Sequence, residues 1–289
     1  MNGASEPNLI DSFGEFIFAW DFSSPPAVLF LILAGAYIAG TTRLTIRSET
    51  DSGFWSKVAA SAFAFVLLAI SLAGPLDYYS GDLFAAHMGQ HIVIAMFAAP
   101  LLLMARPMPA YIWALPKPLR IGAGSALTGS GLIVRVLKLL TRPVVALPLF
   151  IGTLYGWHIP AAYNGSLENE WVHLVMHFTM FTTAVFFWWP IVGPPPIRTQ
   201  LSHPQRIVYL LLAVTPTALL AAIITLTKSV LYDFYIDQPG HFAWTTIEDQ
   251  RIGGLLMWIP GNFVYLATLT VLFFRWFAEE ERKSSRPGR

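Results

Sequence analysis

The sequence predicts an all-α integral membrane protein with seven transmembrane helices, its N-terminus outside and its C-terminus cytoplasmic. Three observations carry this reading. Hydrophobic residues make up 55% of the chain and charged residues only 12%, where a soluble domain carries about 25% charge. Mean hydropathy is +0.56. Seven stretches are apolar over about 20 residues, the length that crosses a bilayer core as a helix.

The first stretch, near 25–42, is the shortest and opens on Pro25-Pro26, which suits a helix start. The second lies near 56–76. The third, near 82–105, carries His87-Met88-Gly89-Gln90-His91 and Pro100. A long connection follows. Within it, residues 122–131 read as a linker and residues 132–142 as an amphipathic segment. Arg135, Lys138 and Arg142 fall at i, i+3 and i+7 on one face among aliphatics, the pattern of a helix lying on the cytoplasmic membrane surface. The fourth stretch, near 143–163, ends in Trp157-His158-Ile159-Pro160. The fifth, near 169–191, carries His173-Leu174-Val175-Met176-His177 and ends in Trp188-Trp189-Pro190, with the Trp pair read as interface anchors. The sixth, near 205–228, contains Pro216. The seventh, near 249–276, contains Gly253-Gly254, Pro260 and Gly261. Residues 1–24 form an outer tail and residues 277–289 a basic cytoplasmic one. No internal repeat is visible.

Charge distribution sets the orientation. Of 18 Lys and Arg, all but Lys228 and Arg251 fall in the connections after stretches one, three, five and seven. The acids run the other way, 12 of 17 falling on the opposite side. Basic loops stay in the cytoplasm, so the histidine-bearing starts of stretches three and five face outside. No Lys or Arg precedes Arg43, and Glu6, Asp11, Glu15 and Asp21 give the wrong charge for a secretory signal, so no cleavage is expected.

Composition also excludes chemistry. There is no Cys, which removes disulfides, thiolate metal sites and redox thiols. A transition metal must then be held by His, Met or carboxylate. The chain has no Gly-x-Ser-x-Gly, no phosphate loop and no dinucleotide fingerprint. It reads as a non-enzyme. Its basic side chains face cytoplasmic lipid, and no nucleic-acid patch is present.

The chemistry lies in two histidine pairs, His87/His91 and His173/His177, each at i, i+4. Residues so spaced share one helical face with Cβ atoms about 5–6 Å apart, and two imidazoles there can grip one metal ion. With 7 His in 289 residues, chance placement gives roughly 0.17 such pairs. Intramembrane ionisable groups are rare and functional by default. At 1.5 Å per residue, His87 and His91 lie roughly 7 and 13 Å along their span, and His173 and His177 roughly 5 and 10 Å along theirs. His158 leaves the membrane on the same side. Five histidines from three helices thus share one outer slice. Of the remaining two, His203 reads as a cytoplasmic turn residue and His241 as an outer-loop residue.

Imidazole suits copper, zinc, iron and nickel, and nearby thioether favours copper(I). Met176 and Met180 each follow a histidine of the second pair by three residues, and Met257 stands in the seventh span. Haem held by His from two spans is the alternative cofactor. Asp249, at the outer start of the seventh span, either orients a ligating His through its second nitrogen or caps a helix start. Gly253-Gly254 permit close helix approach. Asp77 and Asp82, beside Tyr78-Tyr79, edge the same side as an acidic loop.

Four ordered motifs carry a resemblance. They are Ala86-His87-Met88-Gly89-Gln90-His91 with Ala98-Ala99-Pro100-Leu101-Leu102, Trp157-His158-Ile159-Pro160 with Tyr163, His173-x-x-x-His177 followed by Phe187-Trp188-Trp189-Pro190, and Asp249-Gln250-x-x-Gly253-Gly254-x-x-Met257-Trp258. From the second span onward the chain resembles the seven-span CtaG-type cytochrome c oxidase assembly factors. The resemblance implies a role in building haem-copper oxidase in a bacterial plasma membrane, with copper as cargo. The partners would be an oxidase subunit or its copper chaperones. The implied metal residues are His87, His91, His158, His173 and His177, with Asp249 in support. Two rival functions follow from the residues. One is a copper permease, against which the apolar inner halves of the spans weigh. The other is a haem-binding membrane cytochrome.

Overall fold

A computed structural model describes residues 18–47, 53–128, 131–195, 197–198, 201–238, 242 and 244–285. Every regular element among these residues is helical. In chain order they are α1 (Pro25–Arg47), α2 (Phe54–Leu72), α3 (Pro75–Tyr78), α4 (Phe84–Ala105), α5 (Met108–Ala114), α6 (Lys117–Thr128), α7 (Leu132–Leu140), α8 (Pro143–Trp157), α9 (Pro160–Glu168), α10 (Glu170–Val192), α11 (His203–Leu226) and α12 (Thr246–Ser284).

Six segments are long and apolar enough to cross a membrane: α1, α2 continued through α3, α4, α10, α11 and α12. Two bent pairs, α6 with α7 and α8 with α9, raise the count to as many as eight. The chain is therefore an all-helical, multi-pass membrane protein. The stretch expected as one continuous fourth span is broken. Helix α8 has 15 residues, about 22 Å, and the chain then turns 72° into α9. The cause is local. Pro160 opens α9, and Ile159 before it is extended (φ −64°, ψ 126°), the conformation a proline imposes on its predecessor.

Helix α4 is the hub and packs against α2, α10 and α12. Its middle is a π-helical stretch, Val93–Ala98, in which the Ala99 amide reaches back to the Ile94 carbonyl. The next amide in that register belongs to residue 100, which is proline and has none. The Ala95 carbonyl left over accepts from the Trp188 indole Nε1 at 2.9 Å. Trp188 is thus no interface anchor, contrary to its position at a span end. It is buried (1% exposed) and ties α10 to α4. Trp189 is half-buried and donates to the Ile197 carbonyl at 2.8 Å.

Around this tie lies the main core. Phe150 of α8 stacks on Phe187 of α10 at 4.6 Å between ring centres, and Phe187 stacks on Tyr209 of α11 at 5.3 Å. The outward faces stay apolar, with Ile38 of α1, Leu212 of α11 and Phe263 of α12 all exposed, as lipid-facing surfaces require. On α7, Leu132, Ile133, Val136 and Leu139 are exposed beside Arg135 and Lys138.

Helix α12 is 39 residues long, about 58 Å. That exceeds a bilayer core of roughly 30 Å, so its end projects beyond the apolar layer. The stretch read as a basic tail from 277 continues the helix to Ser284, with Lys283 paired to Glu279 and Glu280 at 3.2 and 3.0 Å. His203 is not a turn residue. It is the first residue of α11, and its Nδ1 lies 3.2 Å from a carboxylate oxygen of Glu279.

Candidate metal centre

Five of the seven histidines meet at one end of the helix assembly. Helix α4 brings His87 and His91 to one face, and α10 brings His173 and His177. His87 Nε2 and His91 Nε2 are 2.9 Å apart. Ring centres of His87 lie 5.3 Å from His173 and 6.1 Å from His177, and His91 lies 5.5 Å from His177. One ring nitrogen from each of His87, His91 and His177 falls within 4.8 Å of the others, and all three residues are buried. Two imidazoles on one tetrahedral ion at about 2.0–2.1 Å each stand roughly 3.3 Å apart, so this trio is close to ligating geometry. His173 is half-buried and adjoins His177 at 4.3 Å between ring centres.

Hydrogen bonds decide which nitrogens offer lone pairs. The Tyr235 hydroxyl donates its one proton to the Ser80 carbonyl at 2.8 Å. Toward His87 Nδ1, 3.4 Å away, it can therefore only accept. That places the His87 proton on Nδ1 and leaves Nε2, the atom facing His91, as a lone pair. Tyr163 completes the chain by donating to Tyr235 at 2.9 Å. His158 is fixed in the same way. Its Nδ1 donates to the Leu154 carbonyl at 2.7 Å, an oxygen that also accepts the His158 amide at 3.3 Å. Its Nε2 is buried with no hydrogen-bond partner, as are His173 Nε2, His91 Nδ1 and both ring nitrogens of His177. Buried polar atoms are almost always paired. A cluster of orphaned imidazole nitrogens has the donor chemistry that a metal ion requires.

The supporting residues sort by what they touch. Thr245 caps α12 in a box with Glu248, so Asp249 is not the N-cap of its own helix. Its carboxylate instead accepts from the amides of Phe84 at 2.7 Å and Ala85 at 3.0 Å. It caps the histidine-bearing α4 from another helix. Gln250 beside it accepts from the Leu231 amide at 2.6 Å and donates to the Ile224 and Ser229 carbonyls. A Cβ on Gly253 would strike the Phe84 ring, and one on Gly254 would strike Thr225. The whole Asp-Gln-x-x-Gly-Gly run thus seats α12 against α4 and α11.

The methionines divide as well. Met176 is buried, its sulfur 3.4 Å from the Ser166 hydroxyl, which donates to the Tyr163 carbonyl at 2.6 Å. Met180 and Met257 line a cavity of about 50 Å³ one turn deeper than the trio, together with His91, His158, Met96 and Asn262. Asp77 is not a free acidic group at the mouth. It accepts from Gln90 Nε2 at 2.8 Å on the far side of α4. His241 lies outside the described residues.

Sequence reasoning missed Tyr232 and Tyr235. Both sit in the connection between α11 and α12 and are buried over the cluster, Tyr232 stacking on Phe84 at 4.8 Å. Their signal was Tyr232-Asp233-Phe234-Tyr235, an aromatic run in a loop that membrane exposure does not explain.

A family model described as "Cytochrome c oxidase caa3 assembly factor (Caa3_CtaG)" matches residues 35–279. Uncharacterized proteins of Mycobacterium bovis and Mycobacterium tuberculosis are each 26% identical over 277 residues, 93% of this chain. One of Mycobacterium leprae is 24% identical over 288 residues, 98% of this chain. The chain spans about two-fifths of the length of these curated relatives, 41% of the first two and 42% of the third. No solved structure matches it.

Proposed function

The chain belongs to the cytochrome c oxidase caa3 assembly factor family, and from that premise we propose that it holds copper for delivery to a haem-copper oxidase. Copper is cargo in this reading. His87, His91 and His177 hold it, His173 stands by as a fourth imidazole, and an oxidase subunit or its copper chaperone receives it. The positive-inside charge distribution supports a position for the cluster in the outer half of a bacterial plasma membrane. The observation that carries the reading is the convergence of three buried histidines on two helices with nitrogens within 4.8 Å. The absence of Cys leaves imidazole and thioether as the donors, a set that suits copper.

This chain's residues have definable parts in that task. Tyr235 and the Leu154 carbonyl fix the lone pairs of His87 and His158 toward the cluster. Asp249 and Trp188 fix the position of α4 and α10. Tyr232, Tyr235 and Phe84 cover the cluster with aromatic surface. Haem fits these residues poorly. The cavity beside the histidines, about 50 Å³, is far below the roughly 300 Å³ at which small-molecule pockets begin.

The test is metal content and visible absorbance of detergent-purified protein, wild type beside His91→Ala/His177→Ala. Copper in the wild type, lowered in the variant and without a Soret band, is the expected result. Full oxidase activity in cells carrying the variant under limiting copper would overturn the reading.

A further inference from the structure

The cavity beneath the trio is a different environment from the trio itself. It lies one helical turn further along α4, at Ala95 and Met96, and one turn further along α10, at Met180. Helix α12 closes its other side with Met257 and Gly261. His158, 5% exposed, lines it with an Nε2 that has no partner and whose lone pair is fixed by the Nδ1 bond to Leu154. That nitrogen is not part of the group that converges within 4.8 Å. Around it the donors change in kind, from imidazole to thioether. Met180 and Met257 both line the cavity, whereas Met176 lines none of it. The volume, about 50 Å³, exceeds the 10–15 Å³ or so that one small occupant requires.

We propose that this cavity is a second metal position, separate from the histidine trio, that takes copper(I) on His158 Nε2 and the thioethers of Met180 and Met257. One neutral imidazole with two neutral thioethers is a soft donor set. It suits copper(I) and offers little to zinc, which prefers the harder imidazoles of the trio. Because His91 borders both the trio and the cavity, the two positions adjoin, and a copper ion leaving the trio meets softer donors deeper in the helix assembly. The proposal rests on the reading of the trio as a copper holder and adds a second site to it.

The test titrates detergent-purified full-length protein anaerobically with copper(I) against a chromogenic copper(I) chelator, and separately with zinc(II). Wild type is expected to bind two copper(I) and one zinc(II). Met180→Leu/Met257→Leu, which keeps side-chain volume, is expected to bind one copper(I) with zinc(II) unchanged; the retained zinc reports an intact fold. His87→Ala/His177→Ala is expected to keep one copper(I) and lose zinc(II). Two copper(I) retained in the leucine variant, or only one in the wild type, would overturn the second position and leave the trio standing. No copper(I) in the wild type would overturn both.

Discussion

At the scale of single residues, the site depends on protons held in particular places. Tyr235 is the strongest case. Its hydroxyl spends its proton on the Ser80 carbonyl and so receives His87 Nδ1–H. Partners of this kind, which orient a ligating imidazole from behind, are worth 10–100-fold in metal affinity. Tyr235→Phe is therefore expected to weaken copper binding by about 10–100-fold in a chelator competition. Tyr163→Phe is the control. Tyr163 donates to Tyr235 and lies one bond further from His87, so its loss is expected to cost only a few-fold. No loss from either would show that the aromatic cap acts by packing alone. Tyr235 was invisible to sequence reasoning because it lies 148 residues from His87, in a loop outside every apolar stretch. The histidine pairs were legible because i, i+4 is a local property of a helix.

At the scale of elements, two contacts from other helices hold α4 in place. Asp249 supplies the cap that α4 lacks in its own sequence, since Leu83 at its start has no side-chain acceptor. Asp249→Ala leaves the Phe84 and Ala85 amides buried without a partner, at about 1–3 kcal/mol each. Because His87 sits in that first turn, the variant is expected to lose both thermal stability in detergent and copper affinity. Trp188→Phe keeps an aromatic ring beside Tyr265 and strips the donor from the Ala95 carbonyl together with part of the buried ring volume. Thermal unfolding is expected to show a loss of about 1–3 kcal/mol; no loss would mean that the π-helical stretch satisfies Ala95 in another way. Neither role was legible. Asp249 acts across 165 residues, and a sequence offers a helix-start carboxylate only its own helix or a neighbouring ligand to serve. Trp188 at a span end has the local signature of an interface anchor. The acceptor that buries it arises from Pro100, on another helix. Gly253-Gly254 was readable as close approach because the absence of a side chain has one structural use; which helices approach was not.

At the scale of the whole molecule, topology turns on how many times the chain crosses the membrane and which way it faces. Hydropathy and charge agree on seven crossings, yet the structure offers six straight candidates and two bent pairs. The difference lies in short helices. Helix α8 alone is too short for a bilayer core, and its crossing depends on the turn at His158-Ile159-Pro160. His158 stands at that turn, its ring held by the Leu154 carbonyl in the last turn of α8, so the break belongs to the site. The chain contains no Cys, so single cysteines introduced at exposed positions report sidedness without background. With seven crossings, Glu168→Cys reacts with a membrane-impermeant maleimide in intact cells, while Lys117→Cys, Lys138→Cys and Arg282→Cys react only after the membrane is opened. A crossing by the bent pair α6–α7 would put Lys117 and Lys138 on opposite sides. If α8 and α9 did not cross, Lys138 and Glu168 would label alike. The seven-span pattern is expected because every basic loop then falls on one side, and moving Arg135, Lys138 and Arg142 out of the cytoplasm would invert the strongest charge asymmetry in the chain. The pattern also bears on the proposed function: only with Glu168 outside do the histidines at the start of α10 lie toward the outer side, as the proposed copper delivery requires.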